Sequence, residues 1–283
     1  MQPVLSTYLF VNRKLSAALV GEVARAKVSA IELFCSRGHF DYHSSDDARE
    51  LASWLSGNNL ALHSIHAPTT RDAYPRRESG TPLLISDPER IRRQEAVDEI
   101  KRALDLVECV TFRYCIVHVA RPRDVPDPRR WDAAFSSLEL LSLFAKQRGV
   151  TIALENTPGD MATPANLKNF LEETRLTNVK LCFDAGHAHL EGGVVPSVEV
   201  VRDLIATTHI HDNRGERDDH LPPYEGTIDW NSALVAMPAE IPFVFELREP
   251  AAAIGSPDLQ AFAATFEGIR TVFDKFEQAL AQA

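Results

Sequence analysis

Eight times along the chain, a short apolar run gives way to a stretch with the 3.6-residue spacing of an amphipathic helix. Such alternation marks parallel βα units, because parallel neighbours need a long crossover and a helix is the usual one. The strand-like runs are Val4–Phe10, Ala30–Cys35, Leu60–His66, Tyr114–Val119, Thr151–Glu155, Val179–Asp184, Thr207–His211 and Pro242–Leu247. The first helical stretches are Lys14–Ala26 and Asp46–Ser56, the latter stopped at Gly57. A third, capped by Asp87 with Pro88 in its first turn, runs to about Cys109. Arg130–Arg148, stopped at Gly149, and Thr163–Thr174, opened by Pro164, come next. Pro196–Ile205, a short helix from Asp229, and Pro257–Leu280 complete the set.

Eight units in 283 residues, with no linker or low-complexity tract, predict a single domain over residues 1–283, a closed (β/α)8 barrel. An open doubly wound sheet is the alternative, but no glycine-rich phosphate loop follows the first strand. In a barrel the C-terminal strand ends share one mouth. That is where the acids and histidines fall: His66, His118, Glu155, Asp184 with His187 just after it, His209, and Glu246. Nitrogen and carboxylate groups gathered from several buried strands suit a divalent ion, and Glu155, Asp184, His209 and Glu246 are the candidate ligands. His66, His118, His187, Asp218 and His220 are candidates for further ion positions. His209 and His211, two apart on a strand, share a face, so either can ligate; His211 can instead support a ligand from behind or point into the loop. Glu32 is expected to end the second strand at the same mouth and, like His66, His118, His187 and Arg214, to touch substrate or pair with a neighbouring loop. Asn156 is placed to orient Glu155 or bind substrate. His63 reads as a core contact, and His39 and His43 as surface loop residues. Trp230 and Phe183 read as packing. No GxSxG elbow or Cys–His pair points to a covalent nucleophile.

Acids exceed bases by 40 to 30, which disfavours a nucleic-acid backbone as partner. Arginines do cluster locally at 121, 123, 129 and 130 and at 71, 76 and 77. Cys35, Cys109, Cys115 and Cys182 lack CxxC spacing and fit buried thiols in a reducing compartment. The first residues carry no charged leader and no membrane-length apolar run, so the expectation is a cytoplasmic chain without a membrane partner. A homo-oligomer is left open.

Several segments together resemble the xylose isomerase-like TIM-barrel superfamily, which holds sugar isomerases and epimerases and the endonuclease IV type of apurinic endonuclease. They are His66-Ala67-Pro68, His118, Leu154-Glu155-Asn156-Thr157, Asp184-Ala185-Gly186-His187-Ala188, His209-Ile210-His211-Asp212-Asn213, the string from Asp218-Asp219-His220 to Asp229-Trp230, and Glu246. The resemblance implies that Glu155, Asp184, His209 and Glu246 ring one ion, with His209 favoured over His211. It implies substrate contacts from His187 and Arg214. The endonuclease branch implies a trinuclear zinc set of His66, His118, Glu155, Asp184, His187, His209, Asp218, His220 and Glu246. This chain departs from that branch at Thr69-Thr70-Arg71-Asp72 and in the Val-Ala-Arg-Pro that follows His118.

The implied activity is divalent-metal-dependent isomerisation or epimerisation of a small sugar or sugar phosphate. A proton would move through an enediolate, with Glu155 and Glu246 as paired base and acid. One His and three carboxylates suit Mn²⁺, Co²⁺ or Mg²⁺, whereas the histidine-rich positions suit Zn²⁺. The alternatives are a zinc phosphodiesterase acting on abasic DNA and a non-catalytic sugar-binding barrel.

Overall fold

The computed structural model describes residues 3–26, 28–71, 80–256 and 258–282. Pro75, Arg76 and Arg77, Asp72, and the expected helix start at Pro257 lie outside the described residues. Eight parallel strands close into a barrel in chain order: β1 (Pro3–Ser6), β2 (Ala30–Phe34), β3 (Ala61–His66), β4 (Tyr114–His118), β5 (Thr151–Glu155), β6 (Val179–Asp184), β7 (Ile205–Ile210) and β8 (Phe243–Phe245), with β8 pairing back onto β1. The helices are α1 (Ala17–Arg25), α2 (Ser45–Gly57), α3 (Arg90–Leu104), α4 (Pro128–Gln147), α5 (Pro164–Thr174), α6 (Ala185–Leu190), α7 (Val194–Val201), α8 (Trp230–Ala236) and α9 (Ala263–Gln282). The expected (β/α)8 TIM barrel is therefore what the chain forms. Among the described residues, no helix is long and apolar enough to cross a membrane.

Alternation along each strand sorts the core into two shells. Leu5, Ile31, Leu33, Ile65, Val117, Leu154 and Phe183 belong to the large cluster shared with the helices. Smaller side chains such as Val4, Ala30, Ile116, Ala153 and Val244 belong to separate small clusters that fill the barrel. Two register slips break the alternation. Between β2 and β3, Ile31 pairs with Leu62 but Glu32 pairs with Ser64, so His63 is an extra residue. Between β6 and β7, Ala206 is skipped in the same way. The first slip turns both His63 and Ser64 inward. His63 Nε2 then reaches Thr207 Oγ1 across the barrel, at 3.1 Å.

Several boundaries differ from those read in the sequence, each for a local reason. The first apolar run stops being strand at Ser6, whose hydroxyl accepts from the Tyr8 amide and starts a 3-10 turn over Thr7–Phe10. Asp87 caps only a turn at Glu89, and α3 begins at Arg90. Asp127, not a residue near Arg130, caps α4, with Pro128 in its first turn. Gly149 does end α4, in the left-handed region at φ 72°. Ile205 begins β7 instead of ending a helix. His39, expected at the surface, is fully buried and donates from Nδ1 to the Arg13 carbonyl at 2.7 Å.

Burial pushes the His39 imidazole down to about 4 and that of His63 to about 4. Unfolded histidine titrates near 6.5. Below that pH the unfolded chain takes up protons that these buried rings refuse, so their stabilising contribution holds above pH 6.5 and is lost as pH falls toward 4. His39→Asn, which retains a donor for the Arg13 carbonyl, should therefore flatten the decline of the urea midpoint across that window. An unchanged slope would show that His39 does not set it.

Candidate metal centre

Parallel strands put all their C-terminal ends at one mouth, and four of them end on ligand-type residues. His66 closes β3, His118 closes β4, Glu155 closes β5 and Asp184 closes β6. His209 is the penultimate residue of β7, and Glu246 directly follows β8. Asp184 also caps α6, because its Oδ1 accepts from the His187 amide at 2.7 Å. That cap fixes His187 one turn away, on a helix not evident in the sequence.

Asp218 and His220 come from the long loop after β7, which is wound around one carboxylate. Asp212 Oδ1 accepts from the Asn213 and Ile228 amides, and its Oδ2 from the Tyr224 amide and the Trp230 indole, at 2.9–3.2 Å. Gly226 passes so close that a side chain there would overlap Asp212 and the Asn213 carbonyl. His220 takes a left-handed φ of 48° and is held by its Nδ1 on the Glu246 carbonyl at 2.9 Å.

These residues form three adjoining clusters of ligand atoms: Glu155, Asp184, His209 and Glu246; His66, His118 and Glu155; and His187, His211, Asp218 and His220. Glu155 belongs to the first two. Its Oε2 lies 2.9 Å from His118 Nε2 and 3.2 Å from both His66 Nε2 and His209 Nδ1. His209 Nδ1 is also 3.5 Å from Glu246 Oε2 and 3.8 Å from Asp184 Oδ2. Glu155, Asp184, His209 and Glu246 are each at most 1 % exposed.

Two observations show that these residues fit divalent ions. First, His66 Nε2 and His209 Nδ1 are buried without a hydrogen-bond partner, although carboxylate oxygens crowd around both. Buried polar atoms are normally satisfied, and an ion among them satisfies several at once. Second, the remote nitrogen of four of these histidines faces a group that only accepts. His66 Nδ1 meets the Ala67 carbonyl at 2.9 Å, His187 Nδ1 the Asn156 carbonyl at 2.8 Å, and His220 Nδ1 the Glu246 carbonyl. His209 Nε2 meets Glu32 at 3.2 Å. Each of these nitrogens keeps its proton, so the opposite nitrogen is the one that offers a lone pair.

The ion-free electrostatics follow from packing acids against imidazoles. Burial alone would raise Glu155, but His118 and His209 beside it hold it well below the usual carboxylate range. Burial opposes protonation of His209, yet the carboxylates of Glu32, Glu155 and Glu246 hold it well above its usual value. Asp218 is lowered by His220 and His187 against its own desolvation. Burial pushes the Cys182 thiol up, so the sulfur beside Glu155 and His209 stays protonated.

The structure gathers every expected ligand. It places three other residues differently. Glu32 lies mid-strand and fully buried, below the mouth, where its carboxylate takes Ser64 Oγ at 2.8 Å and His209 Nε2. Arg214 is exposed in the β7 loop. Asn156 clamps Asp184 instead of Glu155, exchanging amide bonds with its backbone at 2.8 and 2.9 Å. A cavity of about 300 Å³ opens beside the clusters, lined by His118, His187, Asp218, Thr69, Thr157 and Arg121 among others. Arg121 was legible only as part of a basic run. Tyr8 and Phe34, whose rings lie 5.0 Å from His220 and 4.7 Å from His66, carried no signal because the first two runs read as uniform core.

A family model described as xylose isomerase-like TIM barrel matches residues 20–271. The uncharacterized protein y4fM of Sinorhizobium fredii is 28 % identical over 201 residues, which is 64 % of this chain and 63 % of that protein. The chain thus spans a little under two thirds of that relative. A crystal structure of a D-tagatose 3-epimerase-like protein superposes with a TM-score of 0.74 at 22 % identity, over 97 % of this chain and 99 % of that one. A crystal structure of the IolI protein with a bound zinc atom gives 0.71 at 16 % identity, over 100 % and 99 %. At these identities the likeness establishes the fold.

Outer partners that orient a ligand histidine typically change metal affinity by about 10–100-fold when replaced. Glu32→Gln should therefore weaken Zn²⁺ binding by that order in a chelator competition. Wild-type affinity in this variant would mean that His209 is oriented without Glu32.

Proposed function

The chain belongs to the xylose isomerase-like TIM barrel family, and on that premise we propose that it is a divalent-metal-dependent isomerase or epimerase of a small sugar, sugar phosphate or related polyol. The observation that carries this reading is Glu246. Its Oε2 turns toward His209, whereas its Oε1 is buried with no partner, beside the ligand cluster. An oxygen in that position is free to take a proton from a substrate carbon and return it to the neighbouring one. Glu155, Asp184, His209 and Glu246 would hold the ion, which when bound supplies Lewis-acid polarisation of adjacent carbonyl and hydroxyl oxygens.

Glu155 has no comparable freedom. Its Oε2 faces three imidazoles, and its Oε1 lies 3.4 Å from His187 Nδ1. The pairing of Glu155 with Glu246 as base and acid is therefore weighted toward Glu246. A single base on one face suits a proton shift between adjacent carbons, and epimerisation requires a second group on the other face. The cavity beside the clusters is of small-molecule size. Thr69 and Thr157 offer hydroxyl contacts there, and Arg121, paired with Asp124, lines its edge.

A second reading, a zinc phosphodiesterase of the endonuclease IV type, is favoured by one specific observation: all three ligand clusters are complete. The charge distribution supports it less. The arginine run after β4 is largely paired within itself, Arg130 and Arg121 with Asp124 and Arg129 with Asp127. Little of that charge is left to track a phosphate backbone.

The test is solvent deuterium wash-in at the carbon next to the carbonyl, across a panel of ketoses and aldoses. Glu246→Gln should lower exchange by about 10²–10⁴-fold when compared with wild type at equal metal occupancy, as checked by plasma mass spectrometry. Undiminished exchange removes Glu246 as the base. No exchange with any sugar, combined with cleavage of abasic duplex DNA, moves the assignment to the second reading.

A further inference from the structure

His211 belongs to the outermost cluster by distance, yet it differs from every other histidine of the mouth whose two ring nitrogens are accounted for. His66, His187 and His220 each anchor a proton on a backbone carbonyl, and His209 anchors one on Glu32. Each then presents the opposite nitrogen to a cluster. His211 has no such anchor. Its Nδ1 is buried without a partner, while its Nε2 lies 3.1 Å from Asp184 Oδ2 and 3.8 Å from Asp218 Oδ1.

Hydrogen-bond polarity decides between the two roles open to this ring. As an Nε2 ligand, neutral His211 must carry its proton on Nδ1, burying an N–H with no acceptor. As a donor, it keeps the proton on Nε2 and gives it to Asp184, leaving only an unused lone pair inside the protein. The second arrangement strands no donor. We infer that His211 is a positioning residue for Asp184, holding the carboxylate oxygen that the Asp184 cap of α6 leaves free, and is not itself a metal ligand.

The surroundings are built for this placement. Asp184 Oδ1 is fixed by the His187 amide, so the bond from His211 to Oδ2 sets the remaining orientation of the carboxylate. His211 is fully buried and stacks on His220 with ring centroids 4.1 Å apart. Gly186, in α6, leaves the space the imidazole occupies, since a side-chain carbon there would overlap the ring. His211 thereby sits between the cluster containing Asp184 and the one containing His187 and His220.

The inference rests on the reading that these clusters bind divalent ions, though not on the reaction catalysed. Its test is Zn²⁺ binding to the full chain, read as chelator-competition affinity and as ions per chain at saturation. His211→Leu should lose about 10–100-fold in affinity at the tightest position while keeping the wild-type number of ions. His211→Gln, which keeps a donor at similar reach, should recover most of the affinity. Gly186→Ala, which displaces the ring without altering it, should reproduce the loss. In the zinc-loaded wild type, ¹⁵N resonances of His211 should show the proton on Nε2, a readout that needs no variant. One ion fewer per chain in His211→Leu, or a zinc-bound Nε2 by NMR, would make His211 a ligand and overturn the inference. Unchanged affinity in that variant would overturn it too, leaving the metal reading intact. A wild-type chain that binds no divalent ion would overturn both.

Discussion

The mouth of this barrel is organised by one carboxylate that has no access to water. Glu155 is 1 % exposed, and a buried charge of that kind is tolerable only when opposite charge or donors surround it. Three imidazole nitrogens stand within 3.2 Å of one of its oxygens. They arrive from β3, β4 and β7, so no single βα unit can supply them. Only closure of the sheet brings β7 to face β3 across the interior, and the contact between His63 and Thr207 spans the same gap lower down. Barrel closure and the ionisation of Glu155 are thus two sides of one condition.

Around that centre, local chemistry fixes one nitrogen or oxygen of each group so that the other is available. Backbone carbonyls hold His66, His187 and His220, and Glu32 holds His209. Asn156 clamps the Asp184 backbone, and the His187 amide fixes one of its oxygens. Asp212 organises the loop that carries Asp218 and His220 by accepting four hydrogen bonds. None of these holding groups needs to meet an ion. Their effect is entropic as well as electrostatic, because a ligand already held in place loses little freedom on binding.

What was legible in the sequence follows from this division. A residue closing a parallel strand has a fixed address, so His66, His118, Glu155 and Asp184 could be placed at the mouth from spacing alone. Glu32 was misplaced because its strand runs two residues beyond it, to Phe34, and because its partner, His209, is 177 residues away. The role of His211 stayed open between ligand and supporting residue for a similar reason. Its pattern two residues after His209 matches that of a ligand, and only the surroundings of its two ring nitrogens separate the roles. Secondary-structure boundaries failed where side chains capture backbone amides. Ser6 cut the first apolar run short, and Asp184 started a helix inside what read as a loop.

The same reasoning bears on why complete ligand clusters do not by themselves choose a chemistry. An ion at any of the three positions would be satisfied by the histidine and carboxylate atoms described. What differs between proton transfer and phosphodiester hydrolysis is what lies beyond those atoms. Proton transfer needs a basic oxygen at the substrate, the role proposed for Glu246, whose Oε1 is buried and unpartnered. Binding a polyanionic duplex needs uncommitted cations spread along its track. In this chain acids outnumber bases by 40 to 30, and Arg121, Arg129 and Arg130 after β4 are tied to Asp124 and Asp127. The sparse uncommitted cationic charge therefore carries more weight than the number of ligand sets.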